Sequence, residues 1–170
     1  EGCEADAILG VLCPPYPSAP ILIVSSDKDF VQLQKYNNIS QWSPLTKKFI
    51  NDPKPEEQLR ALIVKGDRSD GIPNILSNDN CLVEGLRQKP LSKKKIENWL
   101  NGNPEELFEG EVLRNYKRNE ILIDLARIPD PIQINILTRY ESDQYTGRDK
   151  MLNYFIKHRL KELTESIQEF

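Results

Sequence analysis

Four consecutive aliphatic residues, Ile21-Leu22-Ile23-Val24, run directly into Ser25-Ser26-Asp27-Lys28-Asp29-Phe30. An uninterrupted apolar run of this length predicts a strand over 20–24 buried on both faces. Upstream, 4–12 reads as a short helix with Ile8, Leu9 and Leu12 on one stripe, ended by Pro14 and Pro15. Downstream the pattern predicts a helix near 30–35, a turn at Asn37-Asn38, a short strand over 39–42 and an edge strand over 47–50. Pro55-Glu56-Glu57 opens a helix to about Val64, with Leu59, Leu62 and Ile63 on one side.

The polar stretch from Lys65 to Asn74, rich in helix breakers, marks a boundary. Beyond it the period is helical over 91–101, 104–117, 118–127, 131–140 and 148–168. Met151, Leu152, Phe155, Leu160, Leu163 and Ile167 mark the last of these. The expectation is an α/β segment over 1–64 and a mainly α-helical one over 65–170. A chain of 170 residues can bury one good core and a second small one.

Composition changes this picture little. The net charge of −3 gives no global field to attract a polyanion, so any contact with nucleic acid must come from a local basic patch. Cys3, Cys13 and Cys81 are odd in number and lack metal-ligand spacing, which points to reduced thiols in a cytoplasmic protein. No apolar run approaches a membrane span, and no partner membrane is expected. Glu1-Gly2-Cys3-Glu4 reads like the middle of a longer protein.

The candidate chemistry is acidic. Glu4-x-Asp6, Asp27-x-Asp29 and Asp67-x-x-Asp70 are closely spaced pairs, each at a predicted helix or strand terminus. Strand exits are where open α/β proteins bind ligands. Hard cations such as Mg2+ take oxygen ligands, and crowded carboxylates need a cation to neutralise them. Each pair also has a plain structural reading. Glu4 and Asp6 suit the first turn of a helix; Asp27 and Asp29 suit a cap, with Asp29 well placed for it; Asp67 and Asp70 suit an Asx turn. Spacing alone leaves both readings open.

In order, Glu4-Ala5-Asp6, Ser25-Ser26-Asp27-Lys28-Asp29-Phe30 and Gly66-Asp67-Arg68-Ser69-Asp70-Gly71-Ile72-Pro73 resemble the 5′-nuclease (flap endonuclease-like) superfamily. Within it they are similar to the ribonuclease H group of the T-even bacteriophages. Gln41-Trp42-Ser43-Pro44, Lys47-Lys48 and Arg127-Ile128-Pro129-Asp130 add to the likeness, which runs from about Glu4 to Phe170. The resemblance implies the C-terminal part of a parallel-sheet catalytic domain followed by a helical DNA-binding domain.

It further implies a two-ion Mg2+ site, with Mn2+ as a substitute. Asp6 and Asp27 would serve a first ion, Asp29, Asp70 and Asp67 a second, and Glu4 would hold waters. Asp6, Asp27, Asp29 and Asp70 are then the candidate catalytic residues. The implied reaction is 5′-to-3′ exonuclease and flap endonuclease cleavage of RNA primers and 5′ flaps during phage DNA replication. Substrates would be DNA and RNA–DNA hybrids, in host-cell cytoplasm, handled by a monomer. The family's phage members work beside a single-stranded-DNA-binding protein.

Two departures qualify the transfer. The family's further aspartates, from its N-terminal half, have no counterpart in these residues, so the first site is expected to be incomplete. After Asp70, Ile72-Pro73-Asn74-Ile75-Leu76-Ser77 lacks the Gly-x-Gly hairpin with which many relatives grip duplex.

Arg87, Lys89, Lys93, Lys94 and Lys95 place five positive charges in nine residues without an acid. Such a cluster can bind phosphate or be a solvated helix face; the resemblance favours DNA. A non-catalytic module that docks DNA or a replication protein through the helical half is the alternative. Trp42 and Trp99 read as core residues, and His158 as an ordinary surface residue.

Overall fold

The computed structural model of the protein describes residues 3–142 and 150–169. The architecture is mixed α/β, mostly helical with one small three-stranded sheet. Helix α1 (Ala5–Leu12) starts after Glu4, whose extended backbone opens the helix without a side-chain capping bond. A Cβ at Gly10 would lie 2.9 Å from Leu125 Cβ and 3.1 Å from Ile128 Cδ1. The missing side chain lets α1 press against the 3-10 turn Leu125–Arg127.

Strand β1 (Ile21–Val24) pairs parallel with β2 (Ile39–Ser43), placing Ile21 opposite Ile39 and Val24 opposite Trp42. The crossover between them is a 3-10 segment, Lys28–Lys35, that starts earlier than the predicted helix. Strand β3 (Lys48–Ile50) closes the sheet antiparallel to β2, in the order β1-β2-β3. Cys13, Ile23, Phe30, Leu33 and Ile39 form the core beneath this sheet.

The sheet corrects one expectation. Only Ile23 of β1 is buried, while Leu22 and Val24 are 53% and 60% exposed. An apolar run registers which faces need cover, and a three-stranded sheet with β1 at its margin covers one of them.

Helix α2 (Pro55–Lys65) follows, with Pro55 at its first turn, where the missing N–H leaves no intrahelical bond unmade. Its Ala61, Ile63 and Val64 enter the larger core with Ile72, Ile75, Ile96, Phe108, Tyr116 and Ile123. Each large apolar side chain of this set contributes about 1.5–3 kcal/mol by leaving water. Trp99 packs edge-on against Phe108 with ring centroids 5.1 Å apart, as a core-margin residue.

Helix α3 (Lys93–Leu100) is capped by Ser92, whose hydroxyl accepts from Lys95 N at 3.3 Å. The helix expected over 104–117 is broken into α4 (Pro104–Leu107) and α5 (Gly110–Ile123). Phe108 turns extended to bury its ring, and Gly110 takes a φ of +53° that favours glycine. The boundary expected at 117/118 is absent, because α5 runs on to Ile123. Helix α6 covers Asp130–Ser142.

The long helix expected over 148–168 is also divided, into α7 (Met151–Lys157), α8 (Lys161–Glu165) and a 3-10 turn Ile167–Glu169. Arg159, at φ +56°, leaves the helical region and causes the break. Residues 148 and 149 of that expected helix lie outside the described residues.

Compactness divides the chain into Glu1–Ile136 and Leu137–Phe170. Positions 64 and 65 both lie in the first unit, and α2 runs through them. In the second unit Phe155 is buried and the exposed His158 ring stacks on Tyr154 at 4.3 Å. Cys3, Cys13 and Cys81 are free thiols, and among the described residues no helix is long and apolar enough to cross a membrane.

Candidate metal centre

The exit of β1 is held from below by β2. Gln41 has no exposed surface, and its Nε2 donates to Ser25 O at 3.0 Å and Asp27 O at 2.7 Å. Ser26 and Ser43 hydroxyls meet at 2.8 Å. Asp27 is the cap of the following 3-10 segment, its Oδ1 accepting from Asp29 N at 3.0 Å. The cap is therefore Asp27, whereas the sequence pattern favours Asp29. Because the capping bond falls to Asp27, the Asp29 carboxylate is left for the site. Its Oδ1 is buried with no hydrogen-bond partner among the described residues.

The second segment is the turn after α2. Gly66 sits at φ +68°, and a Cβ there would lie 2.3 Å from Ile72 O. The chain doubles back so tightly that Ile72 N donates to Asp67 O at 2.7 Å. Asp67, 4% exposed, accepts on Oδ1 from Ser69 N at 2.9 Å and from the Ser69 hydroxyl, which is the Asx turn of the plain structural reading. Its other oxygen, Oδ2, faces Lys28 Nζ at 2.7 Å.

Helix α5 anchors this turn from a distance. Buried Asn119 donates to Ile63 O at 2.8 Å and Pro73 O at 2.9 Å. Buried Asn115 donates to Ile75 O at 3.0 Å and Ser77 O at 3.1 Å. Arg118 adds a bond to Pro73 O at 3.1 Å and an ion pair with Asp79.

These supports bring five carboxylates together. Asp6, Asp27 and Asp29 each offer an oxygen within 4.8 Å of the others, and so do Asp29, Asp67 and Asp70. Asp29 belongs to both groups. Glu4 belongs to neither, although its charge reaches Asp6 and Asp70. Burial, then the charges of Asp27 and Asp67, push the Asp29 carboxyl up to about 6. Asp6 is raised by burial and then by Asp27, and Asp70 by burial and then by Asp67. Burial also acts to raise Asp67, but the bonds from Lys28 and Ser69 outweigh it and hold that carboxyl below its usual range. An all-oxygen donor set with a bare buried oxygen suits a hard divalent cation.

The basic segment lies further along. Arg87, Lys89, Lys93, Lys94 and Lys95 are all exposed, and none makes an ion pair with another described residue. The segment is tied to the acidic turn through Asn74. The backbone N–H of Asn74 donates to Gln88 Oε1 at 2.7 Å, and its Nδ2 donates to Lys89 O at 2.9 Å. Lys89 N in turn donates to Ser77 Oγ at 2.9 Å.

The sequence gives no role in the site to Lys28, Gln41, Asn115 or Asn119, although Lys28 and Gln41 fall within motifs that carry the resemblance. Its place between two acids is a signal for Lys28. The asparagines carry none, since their partners lie 38 to 56 positions away.

The family described as T4 RNase H, C terminal, matches residues 54–170. The chain is also 37% identical over 177 aligned residues to the Ribonuclease H of Enterobacteria phage T4. That alignment takes in 98% of this chain and 58% of the phage protein, so the chain spans rather more than half of its relative's length. The match to the family and the T-even phage likeness agree, and the chain belongs to the T4 RNase H C-terminal family.

Proposed function

We propose that this chain carries most of the carboxylates of a metal-dependent nuclease that cleaves phosphodiesters near 5′ ends. The observation that supports this is the sharing of Asp29 by two groups of three carboxylates drawn from three separate segments. A relative named Ribonuclease H supports the reaction class. Two Mg2+ ions, or Mn2+ in their place, would be held by Asp6, Asp27 and Asp29 and by Asp29, Asp67 and Asp70. When bound, such ions activate water and stabilise the charge developing on the leaving oxygen.

The residues of the chain have their own parts in this reading. Asp27, through its cap, fixes the backbone from which Asp29 projects. Asp67 is pinned by Ser69 and by the turn at Gly66, so its carboxylate enters the site with little freedom left to lose. Glu4 acts at longer range, through charge or water. Residues 1–64 supply the first group, and residues 65–170 supply Asp67, Asp70 and the surface from Arg87 to Lys95 that follows duplex backbone.

The substrates in this reading are 5′ flaps and RNA primers on DNA, met in the host cytoplasm beside a single-stranded-DNA-binding protein. A protein extended to the full length of the phage T4 relative is the material for the test. There, Asp27→Asn should reduce Mg2+-dependent cleavage of a labelled 5′-flap substrate by at least about a hundredfold; cleavage near the unsubstituted rate would sink the reading. The exposed Arg87–Lys95 surface, whose charges make no ion pair among the described residues, favours a second reading, a DNA-docking module without catalysis. Salt-sensitive, metal-independent duplex binding without any cleavage by the extended protein would select it.

A further inference from the structure

Lys28 stands between Asp27 and Asp29 in sequence, yet its ammonium forms an ion pair across the site with Asp67 Oδ2, at 2.7 Å. The two oxygens of Asp67 thus have different tasks. Oδ1 is taken up by Ser69, and Oδ2 is the one that turns towards Lys28. Asp29 and Asp70 are within electrostatic reach of the same ammonium. No ion pair of this kind is made by Asp6 or Asp27 with any described residue.

We propose that Lys28 is the resident counter-cation of the Asp29–Asp67–Asp70 group, holding Asp67 Oδ2 when no divalent ion is bound and competing with that ion for the same oxygen. The inference rests on the reading of these carboxylates as a metal site.

Three carboxylates with oxygens this close repel one another, and one positive charge among them relieves part of that repulsion. A divalent ion relieves more of it, but must first displace the ammonium. The displacement is easy in one direction only. Lys28 is 54% exposed on a flexible stem and can swing its charge into water, whereas the Asp67 side chain is 4% exposed and fixed by Ser69. The carboxylates therefore stay in place while the lysine leaves. The two groups, which share Asp29, become unequal: only the Asp29–Asp67–Asp70 group has an ion-paired ammonium to displace before it fills.

Mn2+ binding to the 170-residue chain, followed by calorimetry and electron paramagnetic resonance near neutral pH, tests this. The expected result is two unequal sites in the unsubstituted chain. Lys28→Met should tighten the weaker one by about tenfold and leave the stronger within about threefold. Lys28→Arg, which keeps the charge, should stay near the unsubstituted affinities. Lys28→Gln provides the neutral comparison if the methionine variant does not fold. Metal-free Lys28→Met should also melt earlier, and saturating Mn2+ should close that gap.

Mn2+ binding that is unchanged or weaker in both neutral variants overturns the role of Lys28 while leaving the metal site standing. Absence of Mn2+ binding in every variant overturns both.

Discussion

Asn119, on α5, donates to the carbonyl of Pro73 across 46 positions of sequence, and the same amide reaches Ile63 O at the end of α2. One buried side chain thus ties together the two stretches of chain that enter and leave the Asp67–Asp70 turn. Asn119→Leu fills a similar volume but strips both carbonyls of their donor. It should lower stability by about 2–4 kcal/mol in urea unfolding. Mn2+ affinity measured well below the unfolding transition should fall as well. Stability within about 0.5 kcal/mol of the unsubstituted chain would show that water replaces the amide.

The pH dependence has a definite sign. Asp29 titrates at about 6, above its ordinary value, so between the two values the folded chain holds a proton that the unfolded chain has lost. Its contribution to stability therefore falls as pH rises through about 6. Asp6 and Asp70 shift in the same direction, while Asp67 shifts the other way and gives up stability only in stronger acid. The metal-free chain should melt higher at about pH 5 than at about pH 8, and Asp29→Asn should flatten that difference. Saturating Mn2+ should invert the trend, since only the ionised carboxylates bind it. A metal-free melting temperature that rises from about pH 5 to about pH 8 would contradict the assignment.

Binding of duplex DNA offers a separate check on the basic segment. Replacing Lys93 and Lys94 together with alanine should weaken binding at low salt. The slope of log K against log salt should become shallower by up to about 1.8, at about 0.9 for each phosphate that is no longer neutralised. An unchanged slope would return these lysines to the status of a solvated helix face.

Strand β1 makes a fourth prediction. Leu22 and Val24 are more than half exposed, so Leu22→Thr with Val24→Thr should change the stability of this chain by no more than about 1 kcal/mol. Ile23→Thr, at the one buried position, should lower it by about 2 kcal/mol or more. Equal losses from the two faces, read by urea unfolding, would mean that both are buried in solution.

These contrasts show what a linear pattern can carry. The positions of α1, the three strands and α2 follow from apolar period and from Pro55, features contained within each segment. The carboxylate pairs are visible because each sits at an element's end. The exposed half of β1 is not, because an apolar run says nothing about which neighbours are present to cover it. Asn115 and Asn119 look like solvent-facing residues of a helix until the carbonyls of Ile63, Pro73, Ile75 and Ser77 are brought beside them. Arg159 breaks the last helical stretch with a backbone conformation that arginine seldom adopts and that nothing in its type announces. Lys28 shows a related limit: its neighbours in sequence are Asp27 and Asp29, but its ion-pair partner is Asp67.

Gly66 combines a left-handed φ with a backbone carbonyl where its side chain would be. Gly66→Ala should lower stability by about 3 kcal/mol or more and displace Asp67 before anything else moves. In a library of all single substitutions scored for the nuclease activity proposed for the extended protein, position 66 should therefore be as intolerant as the aspartates. A map of tolerance alone would assign a chemical role to a residue that has no side chain, and only a parallel score for folded protein would separate the two kinds of intolerance.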